Sequence, residues 1–115
     1  MFCQQTAIYC RAAGRGEIRR QKELLLAFAE AKGFATIAVY EDTGGMKTPD
    51  WPAFARLEAD IRAGGIARVL VFDLSKIGRN LAESARWVRW LRKQDIGFYA
   101  LETQVGICPC RIELE

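Results

Sequence analysis

The sequence predicts an α/β domain: a three-layer, mostly parallel sheet of four to five strands, with helices on both faces. Three observations predict it. Short apolar runs of β-formers alternate along the chain with stretches of helical periodicity, separated by glycine-rich breaks. The clearest apolar run, Val69-Leu70-Val71-Phe72, is unbroken between Arg68 and Asp73, as in a strand covered on both faces. Half of the 115 residues are hydrophobic, enough for one core and a single domain over 1–115.

The elements follow in order. Thr6 to Cys10 reads as a buried strand, and a polar stretch from Arg11 to Glu17 follows it. Ile18 to Lys32 reads as a helix, with Ile18, Leu25, Phe28 and Ala29 at helical spacing and Gly33 as its stop. Thr36 to Tyr40 is the second strand, and Glu41 to Asp50 a loop. Asp50 is the expected N-cap of the next helix, which carries Phe54, Leu57 and Ile61 inward and ends at Gly64-Gly65. Arg68 to Asp73 is the third strand. Asn80 caps a helix from Leu81 to Gln94, whose expected core face is Leu81, Ala85, Val88 and Leu91. Gly97 to Leu101 is the fourth strand. In the tail, 103–115, Cys110, Ile112 and Leu114 alternate as an edge strand does, and Leu114-Glu115 reads as a vector remnant.

Composition narrows the function. No apolar run spans a bilayer and the first residues are no signal peptide, so a cytoplasmic location without membrane contact is expected. The four cysteines read as free thiols in that compartment. With no histidine in the chain and only a lone Cys108-Pro109-Cys110 pair, neither a metal nor any other cofactor is expected. The net charge of +3 is modest, but cations cluster at Arg11 to Lys22 and at Arg86 to Lys93. Each cluster also suits a solvated helix face.

In parallel sheets the ligand site gathers beyond the carboxyl ends of the strands. There the sequence places Arg11, Arg15, Asp42, Lys76 and Arg79. Arginines brought together from separate strand ends suit a phosphate, which they grip through paired hydrogen bonds. No P-loop is present, and in Gly14-Arg15-Gly16 the third glycine of a dinucleotide loop is replaced by Arg19.

Four stretches resemble the N-terminal catalytic domain of serine recombinases, the resolvase and invertase family. Tyr9-Cys10-Arg11-Ala12-Ala13 resembles the family's Tyr-x-Arg-Val-Ser, with Gln21 ten residues after Arg11. Glu41-Asp42-Thr43-Gly44-Gly45 is similar to the acid and Gly/Ser-rich loop that end the second strand. Trp51-Pro52-Ala53 stands where the family has Arg, often followed by Pro and a small residue. Ser75-Lys76-Ile77-Gly78-Arg79-Asn80 resembles the Asp/Ser-Arg-Leu-Gly/Ser-Arg motif after the third strand.

The resemblance implies metal-independent phosphoryl transfer on DNA, in which a serine hydroxyl attacks the phosphodiester, forms a phosphoserine link and exchanges strands within an oligomer. Arg11, Lys76, Arg79 and the serine position, Ala13, are then the catalytic set. Tyr9, Gln21, Asp42, Trp51 and Ser75 support it. The chain departs from the pattern where the chemistry is done. Ala13 carries no nucleophile, Trp51 carries no charge, and Lys76 lacks the guanidinium fork. A degenerate member is therefore expected, with strand transfer impaired or absent. An engineered serine knock-out would account for Ala13 but not for Trp51.

Family members continue into a long dimer-forming helix and a DNA-binding domain. The 115 residues hold no base-reading element, so the DNA contact expected of them is to phosphate and salt-sensitive. A homo-oligomer, or an active recombinase as partner, is expected of the full-length protein. The other function classes open to this sequence are a flavodoxin-like phosphate- or nucleotide-binding module using Arg11 and Arg79, and a protein-interaction module. The latter would use Trp87 and an exposed Trp90 as its partner surface.

Overall fold

A computed structural model describes residues 5–34, 37–44 and 50–102. Its elements run β1 (Gln5–Ala12), α1 (Arg15–Lys32), β2 (Ile37–Thr43), α2 (Pro52–Ala63), β3 (Ile66–Val71), a 3-10 turn (Leu74–Lys76), α3 (Leu81–Lys93) and β4 (Gly97–Ala100). The expected edge strand in 103–115 lies outside the described residues, as do Cys3, Cys108 and Cys110.

The four strands are parallel, in the order β2-β1-β3-β4. The chain moves one way across the sheet from β1 to β2, then the other way to β3 and β4. Right-handed crossovers therefore place α1 on one face and α2 with α3 on the other. Packing agrees. Ile8, Cys10 and Leu70 meet Ile18, Leu25 and Ala29 of α1. Ala7, Tyr9, Val69 and Val71, alternating with them, meet Phe54, Leu57 and Ile61 of α2 and Val88 and Leu91 of α3. β1 is covered on both faces, and Ala7 to Cys10 are fully buried, which is why it reads as a continuous apolar run.

Three sequence expectations need correction. Asp50 does not cap α2. The N-cap position is Trp51, which makes no side-chain cap, and Asp42 at the end of β2 takes over that role. Leu81 is not core but 45% exposed. The buried residues of α3 are Ser84, Val88 and Leu91: Val88 and Leu91 are as expected, Ala85 is half-buried, and burial begins at Ser84 because Leu81 is the first residue after the Asn80 cap. Trp90 is not exposed. It is half-buried against the core, under the guanidinium of Arg62, 5.1 Å from its ring.

Candidate functional site

The strand order reverses between β1 and β3. At such a switch point the loops leaving the two strands diverge and open a crevice. Arg11 leaves β1 there, and the segment 73–80 leaves β3.

Arg11 is held from both its backbone and its side chain. The Ala12 carbonyl accepts from Gly44 N on the β2 side, so in a parallel ladder the groups of Arg11 point toward β3. β3 pairs with β1 only as far as Tyr9 and Val71. The fully buried Gln21 of α1 completes the ladder: its Oε1 accepts from Arg11 N at 3.3 Å, and its Nε2 donates to Arg11 O at 3.2 Å. A buried amide with both functions engaged satisfies two main-chain groups that would otherwise be orphaned.

The Arg11 side chain reaches across the crevice. One Nη donates to the Ser75 carbonyl at 2.7 Å, and the guanidinium carbon lies 3.6 Å from the centroid of the Trp51 ring. Arg79 comes to the same ring from the other loop, at 4.4 Å. Both are cation–π distances. Burial holds the Arg11 guanidinium below the ordinary arginine range, an effect partly offset by Tyr9 and reinforced by the neighbouring Arg79.

Asp42 joins the end of β2 to the start of α2. Its Oδ1 accepts from Ala53 N at 2.9 Å, and its Oδ2 accepts from Phe54 N at 3.0 Å and from the Tyr9 hydroxyl at 2.8 Å. One carboxylate thus caps the first turn of α2 from a different element and complements the helix dipole. Burial first, and the Asp42 bond second, push the Tyr9 phenol well above its usual range. Tyr9 is therefore a fixed hydrogen-bond donor.

The third loop is tied down by its own side chains. The Asp73 carboxylate accepts from Ser75 N and from the Ser75 hydroxyl. The Ser84 hydroxyl donates to Leu74 O at 2.9 Å. Asn80 caps α3 through Glu83 N, and Glu83 in turn accepts from Arg79 N at 2.9 Å. Gly78 is required by contact. A Cβ there would lie 2.7 Å from Ser84 Oγ and 2.8 Å from Ser84 N.

Of the sequence-predicted residues, the structure brings Tyr9, Arg11, Gln21, Asp42, Trp51, Ser75 and Arg79 into one connected set. Ala13 is exposed two residues beyond Arg11, just before Gly14, the N-cap of α1. Lys76 is half-buried in the 3-10 turn. Arg15 is exposed at the start of α1. Burial and the charge of Glu41 push the Cys10 thiol up to about 12, so Cys10 is a core residue and no nucleophile. Trp87 and Trp90 stand apart, in a groove of about 390 Å³ between α2 and α3 that Trp51 also lines. Trp87 donates to Glu58 at 2.8 Å. Sequence reasoning gave no role to Asp73, to Ser84 or to the contact that Gly78 makes. The first was legible as an Asp-x-Ser turn; the other two act through a contact between separate elements.

No helix among the described residues is long and apolar enough to cross a membrane. Comparisons with known proteins bear on the family. A family profile described as "Resolvase, N terminal domain" matches residues 6–108. The N-terminal catalytic domain of TP901-1 integrase is similar at 30% identity, with 85% of this chain and 77% of that one covered and a TM-score of 0.74. A resolvase family site-specific recombinase from Streptococcus pneumoniae is similar at 25% identity, covering 85% and 72%, with a TM-score of 0.72. The C-terminal catalytic domain of ISC1926 TnpA, an IS607-like serine recombinase, shares the fold at 16% identity over 85% and 70%, with a TM-score of 0.76. No curated protein sequence matches the chain. With its parallel sheet, its switch-point arginines and a family match over nearly its whole length, the chain belongs to the resolvase family as a serine-recombinase N-terminal catalytic domain.

Proposed function

We propose that residues 1–115 form one recombinase-type domain that binds the DNA phosphate backbone at Arg11 and Arg79 but does not cleave it. The observation that carries this reading is the meeting of two arginines from separate strand ends on one ring, beside an exposed Ala13. Paired guanidinium groups suit a phosphodiester, and Lys76, half-buried in the 3-10 turn, keeps a cation on the segment that leads to Arg79 but without the fork. At Ala13 a methyl group stands where the family has its serine, and it cannot attack phosphorus. The neighbouring hydroxyls are engaged elsewhere: Tyr9 on Asp42 and Ser75 on Asp73. The domain therefore acts in recombination as a DNA-binding or partner subunit. It works in the cytoplasm, in a homo-oligomer or beside an active recombinase, with no metal or cofactor.

Two measurements test this. Incubated with a supercoiled plasmid carrying its native recombination site, the protein forms no protein–DNA adduct that survives denaturation. An adduct would refute the reading, and loss of it in Ser75→Ala would identify the hydroxyl responsible. At low salt Arg79→Ala weakens DNA binding. Unchanged affinity would remove the phosphate site.

A further inference from the structure

The two arginines are not equally open to a ligand. Arg11 is 3% exposed, with the Trp51 ring over its guanidinium and one nitrogen on the Ser75 carbonyl. Arg79 is an exposed residue that nonetheless lies over the same ring. A phosphate oxygen has to come within hydrogen-bond distance of the guanidinium N–H groups. Arg11, enclosed to this degree, gives it no approach while the indole is in place.

The indole has another place to go. Trp51 already forms part of the wall of the groove between α2 and α3, whose aromatic lining is Phe54, Trp87 and Trp90. Phe54 meets Trp51 edge-on, with centroids 6.0 Å apart. Trp51 Nε1 is buried with no acceptor among the described residues, and a buried donor without a partner is destabilising. The groove is lined also by Glu58 and Glu83; each carboxylate already accepts one bond, from Trp87 Nε1 and from Arg79 N, and keeps a second oxygen that could accept from an indole N–H. Turning into the groove would thus trade two cation–π contacts for aromatic packing and the missing hydrogen bond. A ligand that binds only where the ring has moved would draw it toward the groove.

We propose that Trp51 controls access to the two-arginine anion site: over Arg11 and Arg79 the indole closes it, and in the α2/α3 groove it leaves it open. This inference rests on reading Arg11 and Arg79 as an anion site. The occupant that displaces the ring is a phosphate group, free or within a nucleic-acid backbone.

The test uses the full chain, inorganic phosphate at low salt, and the NMR resonances of the arginine Nε–H and tryptophan Nε1–H groups. In the unaltered protein, saturating phosphate shifts the Trp51 Nε1–H resonance as well as those of Arg11 and Arg79. Trp51→Ala binds phosphate about tenfold tighter, the size of one lost cation–π contact. Adding Arg79→Ala abolishes the gain. Trp51→Leu, which keeps apolar bulk over the α2 N-terminus, gains in the same direction and decides the matter if the alanine variant does not fold. Should folded Trp51 variants bind no tighter while Arg79→Ala weakens the parent, the anion site stands and the gate falls. Should Arg79→Ala leave binding unchanged in every background, both fall.

Discussion

Gly78→Ala perturbs the site without removing any polar group, and its cost follows from contacts. The added methyl carbon would sit 2.7 Å from Ser84 Oγ, 2.8 Å from Ser84 N and 3.1 Å from Glu83 Cβ. Only the hydroxyl can turn away, and it then gives up its bond to the Leu74 carbonyl, costing about 1 kcal/mol. The α3 backbone cannot turn, so the segment through Arg79 has to lift off the helix, at an overpacking cost of about 1–3 kcal/mol. Together these destabilise by roughly 2–4 kcal/mol, which in a chain this long lowers the melting temperature by about 8–16 °C. Because Arg79 rides on the displaced segment, phosphate affinity falls too. Gly65→Ala is the control: a Cβ added there meets no atom within 4 Å, and the variant stays within about 0.5 kcal/mol of the parent. Calorimetry and a phosphate titration read both variants. A Gly78→Ala protein that melts within about 2 °C of the parent and binds phosphate equally well would refute the steric reasoning and the coupling of this turn to the site.

Three further outcomes are expected. Asp42→Ala removes the cap of α2 and strands the buried Tyr9 hydroxyl, so chemical denaturation shows a loss of about 3 kcal/mol. Stability falls as pH rises from about 9 toward about 12, because the Cys10 thiol keeps its proton in the folded chain to a higher pH than in the unfolded one; Cys10→Ala flattens this part of the alkaline profile, and an unchanged slope would exclude the thiol as its source. Ala13→Ser alone gives at most a trace of cleavage, since each missing charge donor costs about 3 kcal/mol in the transition state; adding Trp51→Arg and Lys76→Arg raises it more than the two single gains combined, and a fully active Ala13→Ser protein would show that Trp51 and Lys76 are harmless.

The parallel order of elements was legible because it is written locally. Each buried strand is a short apolar run, and Gly33 and Gly64 stop their helices in the left-handed conformation, at φ 78° and 91°. The positions of Arg11, Gln21, Asp42 and Arg79 followed from their spacing against the family pattern. What stayed hidden is what depends on separate elements meeting. Asp50 looks like a cap because it directly precedes the helix, yet the carboxylate that does the capping arrives from β2, eleven residues before Ala53. Leu81 fits a helical stripe by spacing, but the first residue of α3 to be buried is Ser84, against the 3-10 turn. Trp51 reads as a missing arginine in sequence. Only the fold shows that its ring lies over two others.

The pattern of retained and altered residues separates two kinds of work at this site. Asp42 caps α2, Gln21 completes the β1 ladder, Tyr9 fills the core and satisfies Asp42, and Arg11 links β1 to the Ser75 turn. Removing Asp42, Gln21 or Tyr9 would leave buried groups without partners, and removing the Arg11 side chain would break its bond across the crevice to Ser75, so the fold itself holds all four in place whether or not phosphoryl transfer occurs. Ala13 and Lys76 carry no such duty, and Trp51 serves through its ring, over Arg11 and against Phe54, and not through a hydrogen bond. Ala13 is exposed, Trp51 caps nothing with its side chain, and Lys76 is half-buried in a turn that Asp73 and Ser84 already hold. By resemblance these are the positions of the family's serine and of two of its arginines, so a substitution at any of them leaves in place the scaffold that presents Arg11 and Arg79 at the switch point of the sheet.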